Sequence, residues 1–108
     1  MVSPDWYSVP PTIIEFNFGE TSAGERVQVV CALRKGDPPI NLSWLRDGLP
    51  LSLDGSGDVQ IRTLDQYSSS LVVSHADARH SGNYTCLAKN AAYTDSHSAA
   101  LIIKGKSL

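Results

Sequence analysis

The chain has 108 residues, 42% hydrophobic and 19% charged, which suits one compact domain with a core of its own and leaves no material for a second. Its net charge is -2 and its nine Lys and Arg are scattered, so the basic stripe that phosphate binding needs is missing and a nucleic-acid partner is excluded. No apolar run reaches membrane-spanning length, and Met1-Val2-Ser3-Pro4-Asp5 lacks the apolar stretch of a secretion signal. The chain therefore reads as an excised segment, linked to a membrane only through parts lying elsewhere.

Residues 1–9 read as an extended leader, since three prolines fall within the first eleven positions. Trp6 and Tyr7 either pack on a neighbouring domain or belong to a disordered tail. The domain proper is expected over 10–105, with 106–108 as a tail. From Thr12 to Phe18 the apolar residues Ile14, Phe16 and Phe18 alternate, which suits an edge strand, A running into A′, and Gly19 to Gly24 reads as a turn. Strand B follows from Glu25 to Leu33, with Val27, Val29, Cys31 and Leu33 inward and Arg26, Gln28, Val30 and Ala32 outward. That outward set is unusually apolar for a face in water.

Lys35 to Pro39 is a loop by composition, because its two prolines cannot donate to a ladder. Strand C places Ile40, Leu42 and Trp44 inward and Asn41, Ser43 and Leu45 outward. Asp47-Gly48 is the strongest hairpin signal in the chain, since a type I′ turn needs positive φ at its centre. A short strand should return through Leu49 to Leu53. After the polar turn Asp54 to Asp58, strand D covers Val59 to Arg62, and strand E covers Tyr67 to Ser74 with Leu71 and Val73 inward and Ser70 and Val72 outward. Ala76 to Ser81 turns into strand F, where Tyr84, Cys86 and Ala88 point inward. The chain then turns through Ala91 to Asp95, and strand G closes it with Ala99, Leu101 and Ile103 inward. No helix longer than a turn is expected.

Cys31 and Cys86 thus face the interior from two different strands, with Trp44 thirteen residues after the first. Two free thiols are the alternative reading of two cysteines. The order Cys, Trp, Tyr-x-Cys is the hallmark of an immunoglobulin sandwich, in which a disulfide bridges sheets about 10 Å apart, the indole packs on it and the tyrosine closes a corner. That framework favours the bridge, and with it an extracellular location. Trp44, Tyr84 and Leu71 are the expected centre of the core.

The motifs Gly24-x-x-Val27-x-Val29-x-Cys31, Trp44-Leu45-Arg46-Asp47-Gly48-x-Pro50-Leu51, Leu71-x-Val73 and Tyr84-x-Cys86-x-Ala88-x-Asn90 resemble an I-set immunoglobulin domain over essentially residues 10–104. More narrowly, Pro10 to Ile14, Phe16 to Glu20, Gly36 to Ile40 and Leu64 to Ser69 resemble the variable domains of arthropod Dscam proteins, such as the seventh domain of the insect form or the first of the shortened chelicerate form. The resemblance implies an all-β sandwich of two antiparallel sheets, A-B-E-D and A′-G-F-C-C′, joined by one disulfide. It also implies a homophilic cell-surface module that pairs antiparallel in trans with an identical copy through the A-B-E-D sheet. Two positions depart from the pattern. His80 stands where an aspartate is usual, so a salt bridge to Arg62 is not assumed, and Tyr93 replaces a glycine in the F to G turn, which leaves that loop's conformation open.

His75, Asp77 and His80 cluster in the E to F turn but lack the spacing of a zinc ligand set, and no nucleophile elbow, phosphate loop or carboxylate pair is present. No enzyme activity, cofactor, metal or small-molecule substrate is expected. Asn41-Leu42-Ser43 and Asn83-Tyr84-Thr85 match the N-glycosylation pattern, a motif short enough to occur by chance, and both asparagines are outward on the sheet of strands C, F and G. The opposite sheet offers Gln28, Val30, Gln60, Arg62, Ser68, Ser70 and Val72 as a flat patch of small apolar and mostly uncharged polar groups. Such depletion of charge marks the centre of protein interfaces, although an ordinary sandwich surface also carries scattered apolar atoms. Two rivals remain: a receptor domain that binds a foreign ligand through its loops, and a structural domain of an intracellular filament. Two sequons and a cross-sheet disulfide weigh against the second.

Overall fold

The computed structural model describes residues 8–51 and 58–105, and its strands follow the alternating stretches of the sequence. In chain order they are β1 (Thr12–Ile13), β2 (Thr21–Ser22), β3 (Val27–Lys35), β4 (Asn41–Arg46), β5 (Leu49–Pro50), β6 (Val59–Asp65), β7 (Ser68–Val73), β8 (Gly82–Lys89), β9 (Thr94–Leu101) and β10 (Ile103–Lys104). One four-stranded antiparallel sheet runs β1-β3-β7-β6 and the other β5-β4-β8-β9. A short parallel pairing of β2 with β10 adds the A′ edge beside the last strand. These are the expected A-B-E-D and A′-G-F-C-C′ layers. Trp6 and Tyr7, the turn from Asp54 to Gly57, the return strand beyond Leu51 and the tail 106–108 lie outside the described residues.

Between the layers, Cys31 and Cys86 form the expected disulfide, with both residues fully buried and their Cα atoms 6.4 Å apart. Trp44, Tyr84, Leu71, Val73 and Leu101 fill the space around it. The indole must also satisfy its N–H in an apolar interior, and it does so by donating to Ser69 Oγ at 3.0 Å. Ser69 shares the inward parity of Leu71 and Val73. Phe16 lies 5.5 Å from Trp44 between ring centroids, and Phe18 lies 5.4 Å from Tyr84. Tyr84 closes its corner by donating its buried hydroxyl to His80 O at 2.6 Å.

The N-terminal stretch departs from expectation. Ile13 and Phe16 are buried while Ile14 is exposed, so Ile14, Phe16 and Phe18 do not share one alternating face. The reason is that the chain leaves the first sheet after β1 and crosses to the second, where Thr21–Ser22 pairs inside the segment expected to be only a turn. Side chains of β9 replace the missing ladder during the crossing. Asp95 accepts from Ile13 N at 2.8 Å, and His97 Nε2 lies 3.2 Å from Phe16 N and 2.8 Å from Phe16 O, bonding one or the other according to its tautomer.

The turns are set by individual residues. Asp47 and Gly48 adopt φ of 51° and 84°, the two-residue hairpin expected for them, and Asp47 also accepts from Asn83 N at 2.9 Å. The F to G turn needs no glycine at Tyr93, because Asn90 holds it. Its side chain accepts from Ala92 N and Tyr93 N, and donates to Val9 O and Asp37 O, so one buried amide ties the turn to the B to C loop and the N-terminal segment. Strand D is longer than expected, reaching Asp65, whereas strand E is trimmed to Ser68–Val73.

Candidate interaction face

On the outer face of the β1-β3-β7-β6 sheet, strand register lays the candidate residues out in rows. Val30, Ser70 and Arg62 are cross-strand neighbours, and the next row holds Gln28, Val72 and Gln60. Gln28, Val30, Gln60 and Arg62 are exposed and Val72 is half-buried. Ser68 and Ser70 are a correction: they share this face but are buried, at 9% and 3% exposure, and cannot contribute much contact area. The short side chain of Ser70 stands between longer neighbours, Val30 and Arg62, and Ser68 stands between Ala32 and Asp65. Ser68 additionally bonds Asp65 Oδ1 at 2.8 Å.

The face also contains residues the sequence reading passed over. A groove across it is lined by Arg26, Gln28, Gln60, Arg62, Leu64, Ser70 and Val72. Leu64 is 50% exposed, and continuing the period of two from Gln60 through Arg62 would have found it. Exposed Ile14 adjoins the patch, its N–H bonded to Ala32 O at 2.8 Å. Arg26 and Arg62 bring charge into the groove itself. Arg26 bonds Gln28 Oε1 at 3.0 Å, and Asp65 lies at the D to E turn. The Tyr67 N–H, followed by the Ser68 hydroxyl, holds the Asp65 carboxyl below its ordinary pKa.

Asn41 and Asn83 are exposed on the outer face of the other sheet. The E to F turn resolves the His80 departure. Arg79 forms an ion pair with Asp58 and the buried His80 Nε2 lies 3.7 Å from the same carboxylate, so the acid stands at the head of strand D and the cation in the turn. Arg62, out on the face, has no part in it. His80 Nδ1 accepts from Asp77 N at 3.0 Å, completing a capping box with the Asp77 side chain. These residues are thus committed to shaping a turn, and among the described residues no group of three or more His, Cys, Asp or Glu could hold a metal ion.

The immunoglobulin domain family model matches residues 10–90. Cell adhesion molecule Dscam2 of Drosophila melanogaster is 47% identical over 98 residues, covering 89% of this chain and 5% of that protein. Human cell adhesion molecule DSCAM is 42% identical over 96 residues, again covering 89% of this chain and 5% of the relative. The chain therefore spans about a twentieth of the curated relatives it matches. Among solved structures, the Dscam1 Ig7 domain, isoform 5, superposes with a TM-score of 0.83 at 30% identity, covering 88% of this chain and 97% of that one. A titin I-band fragment, I67-I69, gives a TM-score of 0.79 at 28% identity over 90% of this chain and 33% of the fragment. The sandwich is common to both, and it is a non-enzymatic fold. The chain belongs to the immunoglobulin domain family, and the domains it resembles in sequence and in structure include those of the Dscam cell adhesion molecules.

Proposed function

We propose that this domain is a homophilic recognition module in the extracellular part of a cell-surface adhesion protein, pairing antiparallel with an identical copy through the outer face of its β1-β3-β7-β6 sheet. The observation that carries this reading is the make-up of that face's centre, where exposed Val30, Gln28 and Gln60 flank half-buried Val72 and buried Ser70, with Arg62 the one charged side chain in the two rows. A two-fold contact sets a surface against itself. Charges near the axis would repel their own copies, whereas Gln and Val can meet their like, and Arg62 can reach an acidic group across the contact. Mismatched copies leave polar groups buried without partners, at roughly 1 to 3 kcal/mol each. Weak pairing suffices, since many copies between two membranes multiply modest affinity.

Sedimentation across a concentration series tests the reading. Self-association is expected, weakened by Val30→Asp and by Arg62→Glu and unchanged by substitutions at Leu45 or Lys89 on the opposite sheet. A chain that stays monomeric at high concentration contradicts it. A second reading, binding of a foreign ligand through the loops, draws on the groove beside the B to C loop and the F to G turn, lined by Pro39, Ile40, Asn41, Lys89, Asn90 and Ala91. Under that reading the Lys89 substitution is the damaging one, and the two readings exchange predictions.

A further inference from the structure

We infer that Asn41 and Asn83 are both N-glycan acceptors and that their glycans cover the outer face of the β5-β4-β8-β9 sheet, leaving the opposite face bare. This inference rests on the extracellular reading above, because the oligosaccharide is attached during secretion. The chemical requirement is an Asn-x-Ser/Thr tripeptide whose asparagine side chain reaches solvent after folding. Both tripeptides meet it within strands, where the intervening residue points the other way: Leu42 is half-buried against the core and Tyr84 fully buried, and each flanking asparagine is exposed.

Neither asparagine side chain makes a hydrogen bond among the described residues, whereas Asn90, seven positions beyond Asn83 and not part of a sequon, spends its amide on four bonds and is buried. The fold thus separates asparagines that serve structure from those that face water. Register fixes how the two acceptors divide the sheet. Asn41 pairs with Lys89 at one end of β8, while Asn83 lies near the other end, opposite Ala100. Six residues of strand separate those rows, about 20 Å, so one bulky hydrated group stands at each end of the face. At Asn83 the neighbour on β9 is only a methyl group, which leaves room for the first sugar.

The test uses the 108-residue chain secreted from a eukaryotic host behind a cleavable signal. Enzymatic glycan release in heavy-oxygen water converts each occupied asparagine to a labelled aspartate, which peptide mass spectrometry locates. Both positions are expected to carry the label, and Asn41→Gln and Asn83→Gln each to lose one glycan's mass while keeping the disulfide. Either asparagine unmodified in most molecules overturns the inference. Sedimentation of the glycosylated and released forms is expected to give self-association constants agreeing within about twofold. With both sites labelled, a larger difference between them puts the contact on the glycan-bearing sheet and refutes only the homophilic face proposed above, as does an absence of self-association.

Discussion

Replacing Tyr84 with Phe removes one oxygen from the centre of the domain without changing its shape. The hydroxyl is fully buried and donates to His80 O at 2.6 Å, a carbonyl with no other partner among the described backbone bonds. A neutral hydrogen bond contributes about 1 kcal/mol net, and a buried acceptor left unpaired costs about 1 kcal/mol or more, so the variant should lose about 2 kcal/mol. For a domain near 100 residues that lowers the thermal midpoint by roughly 8 to 16 °C. The effect carries a pH signature. Burial pushes the Tyr84 phenol above its ordinary pKa, an effect partly offset by the Arg46 guanidinium and reinforced by Asp47. A proton held more tightly in the folded state stabilises it fully below the unfolded tyrosine's pKa, about 10, and that stabilisation is lost as pH rises through the folded value. The deficit of Tyr84→Phe should therefore shrink at alkaline pH. Calorimetry at neutral pH and again above a pH of about 10 measures both; an unchanged midpoint, or a deficit that stays the same there, refutes the corner's role.

Gly36→Ala should destabilise the domain by roughly 1 to 3 kcal/mol, because Gly36 has φ of 142° and an added Cβ would meet Pro11 Cα at 2.8 Å. Urea unfolding checks it, and a wild-type midpoint would show that the N-terminal segment yields freely. Reducing Cys31–Cys86, which span 55 residues, should cost about 4 kcal/mol in a loop-closure account, and denaturant midpoints with and without reductant should differ accordingly. Equal midpoints would mean that the packing around Trp44 and Tyr84 alone holds the layers.

Period-two patterning made the middle of this domain legible. Val27, Val29 and Cys31 on β3 and Leu71 and Val73 on β7 alternate strongly enough to assign the inner faces without coordinates, and Asp47-Gly48 announces its own turn. What stayed hidden depends on partners distant in the chain. Burial of Ser70 between the longer Val30 and Arg62 is known only once register is fixed. The crossing after β1 is held by Asp95 and His97, more than 80 residues away. At the F to G turn, the missing glycine is compensated by Asn90, whose four bonds reach three segments. The candidate face was found in outline for the same reason, from outward parity, while Leu64 and Ile14 escaped because the strands bearing them were drawn too short or in the wrong phase.

The most direct test of the homophilic face is to follow backbone amide chemical shifts of the isotope-labelled domain as its concentration rises. Concentration-dependent shifts are expected to gather at Gln28, Val30, Gln60, Arg62, Leu64 and Val72. Shifts that gather instead at Ser43, Thr85, Leu87 and Lys89, or that fail to appear, would contradict the account.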